Sequence, residues 1–263
     1  EMPDSPYVQA PYLGTYYYLL NTQRPPVDDV RVRKALAMSV DRDKLVRSVL
    51  QNTAVPAYSI TPPDTLGYFP PKLFDYNPDE ARRLLAEAGY PNGDGWPGVE
   101  ILYNTQEAHR KIAVAIQQMW KSELGIDVTI ANQEWKVYLD AVTQIDFQVA
   151  RRGWIGDYVD ANNFLDMFIT GGGNNNTHYG DPVYDDLILY KAPKAVTREA
   201  RYALFTQAET MLMEEMPIIP LYTYTSKHLI HPSVEGMYAN LMDSLNLKYV
   251  KLVPGRTLPE ALR

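Results

Sequence analysis

Between residues 77 and 154 the chain switches back and forth between helix-period and strand-period segments, and that alternation leaves few folds open. NPDEARRLLAEAGYPNG (77–93) reads as a helix. Asn77 stands at its cap, Pro78 in the first turn, Asp79 and Glu80 at the positive end, and Gly89 at the stop. VEILYNT (99–105) reads as a strand, and HRKIAVAIQQMWKSELG (109–125) as an amphipathic helix ended by Gly125. IDVTIANQ (126–133), WKVYLDAVT (135–143) and FQVARRGW (147–154) continue as strand, helix and strand. Such a series predicts an α/β fold whose sheet is at least partly parallel. In sheets of that kind, ligands sit beyond the carboxyl ends of the strands.

The flanks add further elements. TYYYLLNT (15–22) is aromatic and β-branched and reads as a strand. Asp28 or Asp29 can cap a helix over VRVRKALAMSV, and Asp41 can cap RDKLVRSVL. Five prolines in residues 51–74 predict a surface loop. A short helix from Asn162, a Gly/Asn-rich loop and a new start at Asp181-Pro182 follow. TREARYALFTQAETMLMEEM (197–216) reads as the longest helix, PIIPLYTYT (217–225) as an apolar strand, and LKYVKLV (247–253) as one more strand.

Several function classes are excluded or weakened by residue types. The formal charge is −7, with no run of Lys or Arg, so no nucleic-acid partner is expected. Cysteine is absent, which removes disulfides, thiolate nucleophiles and cysteine zinc sites. No apolar run reaches the roughly 18–20 residues of a spanning helix. GGGNNN (171–176) lacks the spacing of a phosphate loop. In a strand, the two histidines of HLIH (228–231) would face opposite ways, and a zinc site would still need a third ligand. No GxSxG is present, and the adjacent carboxylates read as helix caps and solvated faces. Neither an enzyme nor a cofactor nor a metal is expected.

RRGWIGDYVDAN (151–162) lies where a strand ends, the place where an α/β sheet binds ligands. Gly153 and Gly156 allow close approach to the backbone on either side of Trp154. If Asp157 is half-buried, its charge is costly unless it meets a cation or several donors. Arg151 or Arg152 could supply it internally, and a bound ammonium could supply it from outside. His109 is either an exposed helix-start residue or a ligand contact, since it too follows a strand end. Tyr224, near the end of PLYTY, is placed in the same way.

Together, PPVDDVRVRKALAMSVDRDKLV (25–46), PAYSITPP (56–63), NPDEARRLLAEAGYP (77–91), residues 102–140, ARRGWIGDYVDANNFLDMF (150–168), NNTHY (175–179) and MPIIPLYTYTSKHLI (216–230) resemble the carboxy-terminal lobe of the oligopeptide-binding family. These are the family 5 solute-binding proteins of peptide ABC transporters. The resemblance implies a type II periplasmic-binding-protein lobe, with a mixed, mostly parallel sheet flanked by helices. It implies two lobes closing on an extended peptide that pairs by β-augmentation. The aspartate of GW-x-x-DY, here Asp157, would hold the peptide α-ammonium, and Trp154 would line a side-chain pocket. Backbone around Gly153 and Ile155 would pair with the peptide. His109 and Arg151 match positions that meet its carboxylate or side chains, Tyr224 a tyrosine facing it, and Trp135 a pocket aromatic. LDAVTQ (139–144) lacks the basic residue that some members use for the carboxylate. The chain reads as one lobe: a crossover region at 1–22, the binding lobe at 23–225, and a return segment at 226–263 toward an absent amino-terminal lobe. Its expected partners are an oligopeptide and a membrane permease, in a periplasmic or cell-surface setting. A non-peptide solute, either an oligosaccharide or a metal chelate, is the alternative ligand. A peptidase-like hydrolase is the alternative activity.

Overall fold

The computed structural model describes residues 6–257. In chain order the elements are β1 (Tyr7–Leu20), α1 (Val30–Met38), α2 (Arg42–Ser48), β2 (Ala54–Pro56), α3 (Pro78–Glu87), β3 (Val99–Asn104), α4 (Glu107–Leu124) and β4 (Val128–Gln133). They continue with α5 (Trp135–Thr143), β5 (Val149–Ile155), α6 (Asn162–Leu165), α7 (Pro182–Asp185), α8 (Arg198–Glu215), β6 (Ile218–Leu229), β7 (Val234–Glu235) and β8 (Lys251–Leu252). The caps fall where the side chains can reach orphan amides. Asp29, Asp41, Asn77, Asp181 and Thr197 each accept from a backbone N–H of the helix they precede. Gly125 ends α4 in the left-handed region, packed so closely on residues 92 and 93 that a Cβ there would lie 2.5 Å from the Asn92 carbonyl oxygen.

One sheet of order β2-β6-β1-β5-β3-β4 organises the protein. Its β4–β3–β5 half is parallel, as the alternation of the middle segment predicts. The other pairings, β5–β1, β1–β6 and β6–β2, are antiparallel. The sheet is therefore mixed, but parallel pairs do not predominate. The reason is that β1 and β6 enter from opposite ends of the sequence and run against each other for most of their length. β1 is 14 residues long, far longer than TYYYLLNT, and it continues back through Pro11. From Leu13 to Leu20 every residue is buried, so both faces of this central strand are covered. Its first half, Tyr7–Pro11, pairs only with the Thr225–Leu229 end of β6.

Two buried charges tie loops to this frame. Arg42 donates to the carbonyls of Pro220 (2.8 Å), Ala37 (3.0 Å) and Val40 (3.1 Å), and lies over the rings of Tyr58 and Phe74. The Glu209 carboxylate on α8 accepts from Thr61 N–H and from the Tyr68 hydroxyl, each at 2.9 Å. These contacts hold the proline-rich 51–74 segment, which is loop as expected except for the three-residue β2. The expected strand at 247–253 is not formed as such. Leu247–Tyr249 is a 3-10 turn, and only Lys251–Leu252 pairs, with Val234–Glu235. The alternation is real, but these residues meet no edge of the main sheet. His228 lies in β6 and meets Asp243 at 2.6 Å, while His231 lies beyond the strand. Among the described residues no cluster of His, Asp or Glu could hold a metal, and no helix is long and apolar enough to cross a membrane.

Candidate functional site

Parallel pairing aligns the ends of β3 and β4 at Asn104 and Gln133, while β5 runs on past its last β3 partner at Ala150. The register with β1 decides where the backbone of this overhang points. Asn21 N–H donates to Gln148 O at one end, and Gly156 N–H donates to Leu13 O at the other. In an antiparallel ladder, bonded residues alternate. The even-numbered residues of β5 therefore turn their amides toward β1, and Arg151, Gly153 and Ile155 turn theirs the other way. Arg151 O accepts from the Tyr138 hydroxyl of α5. Beyond it, the Gly153 and Ile155 backbones face the side where β3 pairing has ended, an open strand edge.

Side chains of the same residues share one face with β1 and β6, since Tyr16 stands opposite both Gly153 and Tyr222, and Tyr18 opposite Arg151. Here the tyrosines form a packed cluster. Tyr16 stacks on Tyr222 at 4.7 Å, and Tyr224 meets both rings edge-on. The Arg151 guanidinium lies 4.8 Å over the Tyr16 ring, with Nη1 3.4 Å from Asn104 Oδ1, and its buried Nε has no acceptor. His109 enters from the first turn of α4, with Nδ1 3.3 Å from the Tyr16 hydroxyl. It is buried, not an exposed helix-start residue. Burial, and next the Arg151 charge, push its pKa down to about 4. His109 is therefore neutral near pH 7, and cationic chemistry on this face belongs to Arg151.

Gly153 is required by this packing. A Cβ added there would lie 2.6 Å from the Tyr224 hydroxyl oxygen. Gly153→Ala is expected to destabilise the protein by about 1–3 kcal/mol through overpacking. Tyr224→Phe should recover much of that loss, and a urea-denaturation double-mutant cycle measures the coupling. Additive effects would show that the two do not meet.

Trp154 projects to the opposite face, by strand alternation. There its Nε1 donates to Asn163 Oδ1 at 3.0 Å, and the same oxygen accepts the Asp157 backbone N–H at 3.0 Å. Asp157 itself is exposed. Among the described residues it makes no ion pair, so the internal Arg–Asp pairing is not what this fold contains. Its neighbour Asp160 takes the nearby cation instead, with Arg201 Nη1 at 2.5 Å. Trp135 opens α5, 48 % exposed, and stacks on Tyr138, whose hydroxyl holds Arg151 O.

The strand end thus carries an anionic pole at Asp157, a cationic pole at Arg151, an open backbone edge between them, and aromatic walls at Trp135, Trp154 and Tyr224. Sequence reasoning missed Tyr16, Asn104, Tyr138, Asn163 and Tyr222. Alternation within TYYYLL and PLYTY could have marked Tyr16 and Tyr222 as facing Tyr224. Nothing local marks Asn163.

The chain is similar to known proteins in both sequence and fold. Residues 1–176 match the model for bacterial extracellular solute-binding proteins, family 5 Middle. The chain is 41 % identical to the periplasmic oligopeptide-binding protein OppA of Escherichia coli (strain K12) over 242 residues, 90 % of this chain and 44 % of that protein. It is 42 % identical to the periplasmic murein peptide-binding protein MppA of the same organism over 237 residues, 88 % of this chain and 44 % of that one. The unliganded open form of MppA superposes with a TM-score of 0.87 at 38 % identity, covering 96 % of this chain and 50 % of that one. Haemophilus influenzae OppA in complex with the peptide RPPGFSPFR superposes with a TM-score of 0.81 at 34 % identity, covering 94 % and 50 %. The chain spans about half the length of the relatives it matches.

Proposed function

Because this chain belongs to the family 5 bacterial extracellular solute-binding proteins, we propose that it is one peptide-binding lobe of the extracytoplasmic receptor of an ABC importer for oligopeptides. An extended peptide adds to the open edge of β5 at Gly153 and Ile155, so main-chain bonds supply affinity without regard to sequence. Its α-ammonium meets Asp157. Its carboxylate or an acidic side chain meets Arg151, and its side chains rest on Trp154, Trp135 and Tyr224. The observation that carries this reading is the Asp157 carboxylate itself: exposed, without a cation partner among the described residues, beside a strand edge that β3 leaves unpaired. A polymer of sugar would use the aromatic walls and leave that carboxylate unused. A hydrolase would require a nucleophile beside a base, and His109, the histidine on this face, bonds the Tyr16 hydroxyl instead.

The other half of the site comes from a second lobe in the full-length protein, which closes over the peptide and presents the closed form to a membrane permease. The ribbon of Tyr7–Pro11 with Thr225–Leu229, standing beyond the β5 pairing, is the crossover toward that lobe. The test is to purify the full-length protein, denature it and identify what is released by mass spectrometry. Mixed peptides with free amino termini are expected. A sugar, a metal chelate or no small molecule at all would overturn the peptide reading.

A further inference from the structure

We infer that Asn163 is the positioning residue of the ammonium site, its single side-chain oxygen setting where both Asp157 and Trp154 stand. The inference rests on the proposed reading of Asp157. Asn163 follows Asp157 by six positions, lies on α6, and is 4 % exposed. Its Oδ1 accepts two donors at once, the Trp154 indole N–H and the Asp157 backbone N–H, both at 3.0 Å. An amide oxygen has two lone pairs, so both bonds form without competition.

This matters because the segment that carries Asp157 has little else to hold it. After Gly156 N–H bonds to Leu13 O, the chain leaves the sheet. Asp157 and Tyr158 are exposed, and the next charged anchor is Asp160 with Arg201. The backbone of Asp157 is thus tied at its own amide to a side chain rather than to a strand. That tie also fixes the indole that forms the adjoining wall. Gly156 keeps the approach open: a Cβ there would meet the Leu13 side chain at 2.6 Å and Asn163 Oδ1 at 3.3 Å. One buried oxygen therefore couples the charge that would meet an ammonium to the ring beside it. A neutral acceptor serves here because Asp157, Asp160 and Asp166 already crowd their negative charges together, and burial, then the charges of Asp157 and Asp160, raise the Asp166 pKa.

The test measures selectivity for a free amine, which packing alone does not set. Dissociation constants of tetra-alanine and of its N-acetyl form are determined by calorimetry on the full-length protein, and their ratio is the readout. Wild type is expected to prefer the free amine about thirtyfold or more. Asn163→Leu keeps the branching of the side chain and removes the acceptor, and should bring the ratio close to one. Asn163→Ser, a smaller change whose hydroxyl is too short to reach both donors, should give an intermediate ratio and serves if the leucine variant does not fold. If Asn163→Leu weakens both peptides alike and leaves the ratio intact, Asn163 is only a packing residue and the inference is overturned, while the proposed function stands. If wild type shows no preference for the free amine, the ammonium role of Asp157 fails, and the inference fails with it.

Discussion

Asp157→Asn in the full-length protein is expected to weaken binding of a free-amine peptide by about 2–5 kcal/mol, roughly thirtyfold or more. The carboxamide keeps the shape of the side chain and removes its charge, leaving an ammonium enclosed between two lobes without a counter-ion. The N-acetyl form of the same peptide has no ammonium to lose and should bind the variant and the wild type within a few-fold of each other. Calorimetric titration of both peptides against both proteins checks this, and equal losses for the two peptides would place the ammonium elsewhere. Enclosure sets the magnitude. On this 263-residue chain alone Asp157 is exposed, and an exposed ion pair is worth about 0–1 kcal/mol. The single lobe should therefore bind peptide only in roughly the millimolar range, and the substitution should change little there. Micromolar binding by the single lobe would show that the second lobe is not needed to desolvate the pair.

The second large effect lies outside the proposed peptide site. Glu209 is fully buried in α8, and burial raises its pKa from 4.5 to about 7, against the opposing pull of the Thr61 N–H and the Tyr68 hydroxyl. In the unfolded chain it titrates near 4.5. Between these values the folded protein binds the extra proton, so the contribution of this group to stability is complete below about pH 4.5 and is lost as pH rises through about 7. The loss amounts to about 3 kcal/mol. Glu209→Gln keeps an oxygen for Thr61 N–H and an amide that can donate to the Tyr68 oxygen, and it does not titrate. Urea denaturation of wild type and Glu209→Gln from pH 4.5 to 8 should show the variant gaining on the wild type by about 3 kcal/mol across that range. A difference that stays constant with pH would mean that Glu209 is ionised, or neutral, throughout. Because Glu209 holds Thr61 and Tyr68, amide exchange in the 57–68 loop should quicken at alkaline pH in the wild type and much less in the variant.

Much of the site could be read from RRGWIGDY because a strand end, two glycines and an aspartate after tryptophan are local features. By sequence alone, Arg151 and Asp157 are candidates for each other. The fold separates them along β5 and by the turn after Gly156: Arg151 lies over the Tyr16 ring within the strand, and Asp157, beyond the strand end, faces solvent. His109 was visible as a residue at a strand–helix junction, but its neutrality depends on burial and on a guanidinium from a strand 42 residues away in sequence (109 to 151), which periodicity cannot express.

The sequence by itself determined the elements whose causes are short-range: the caps at Asp41, Asn77 and Asp181, a cap at one of Asp28 and Asp29, the stop at Gly125, and the parallel β3–β4–β5 half with its helices. A capping side chain and its amide lie within three residues, and a hydrophobic face repeats within a turn or two. Only the tertiary structure decided the long antiparallel pairing of β1 with β6, the reach of β5 past its β3 partner, and the sharing of Asn163 Oδ1 between Trp154 and Asp157. In these cases the same polar group could satisfy its hydrogen bonds with many partners of equal chemistry. Which one it meets is settled by how the sheet and helices pack, since burial makes an unmet partner costly and leaves one arrangement in which most are met.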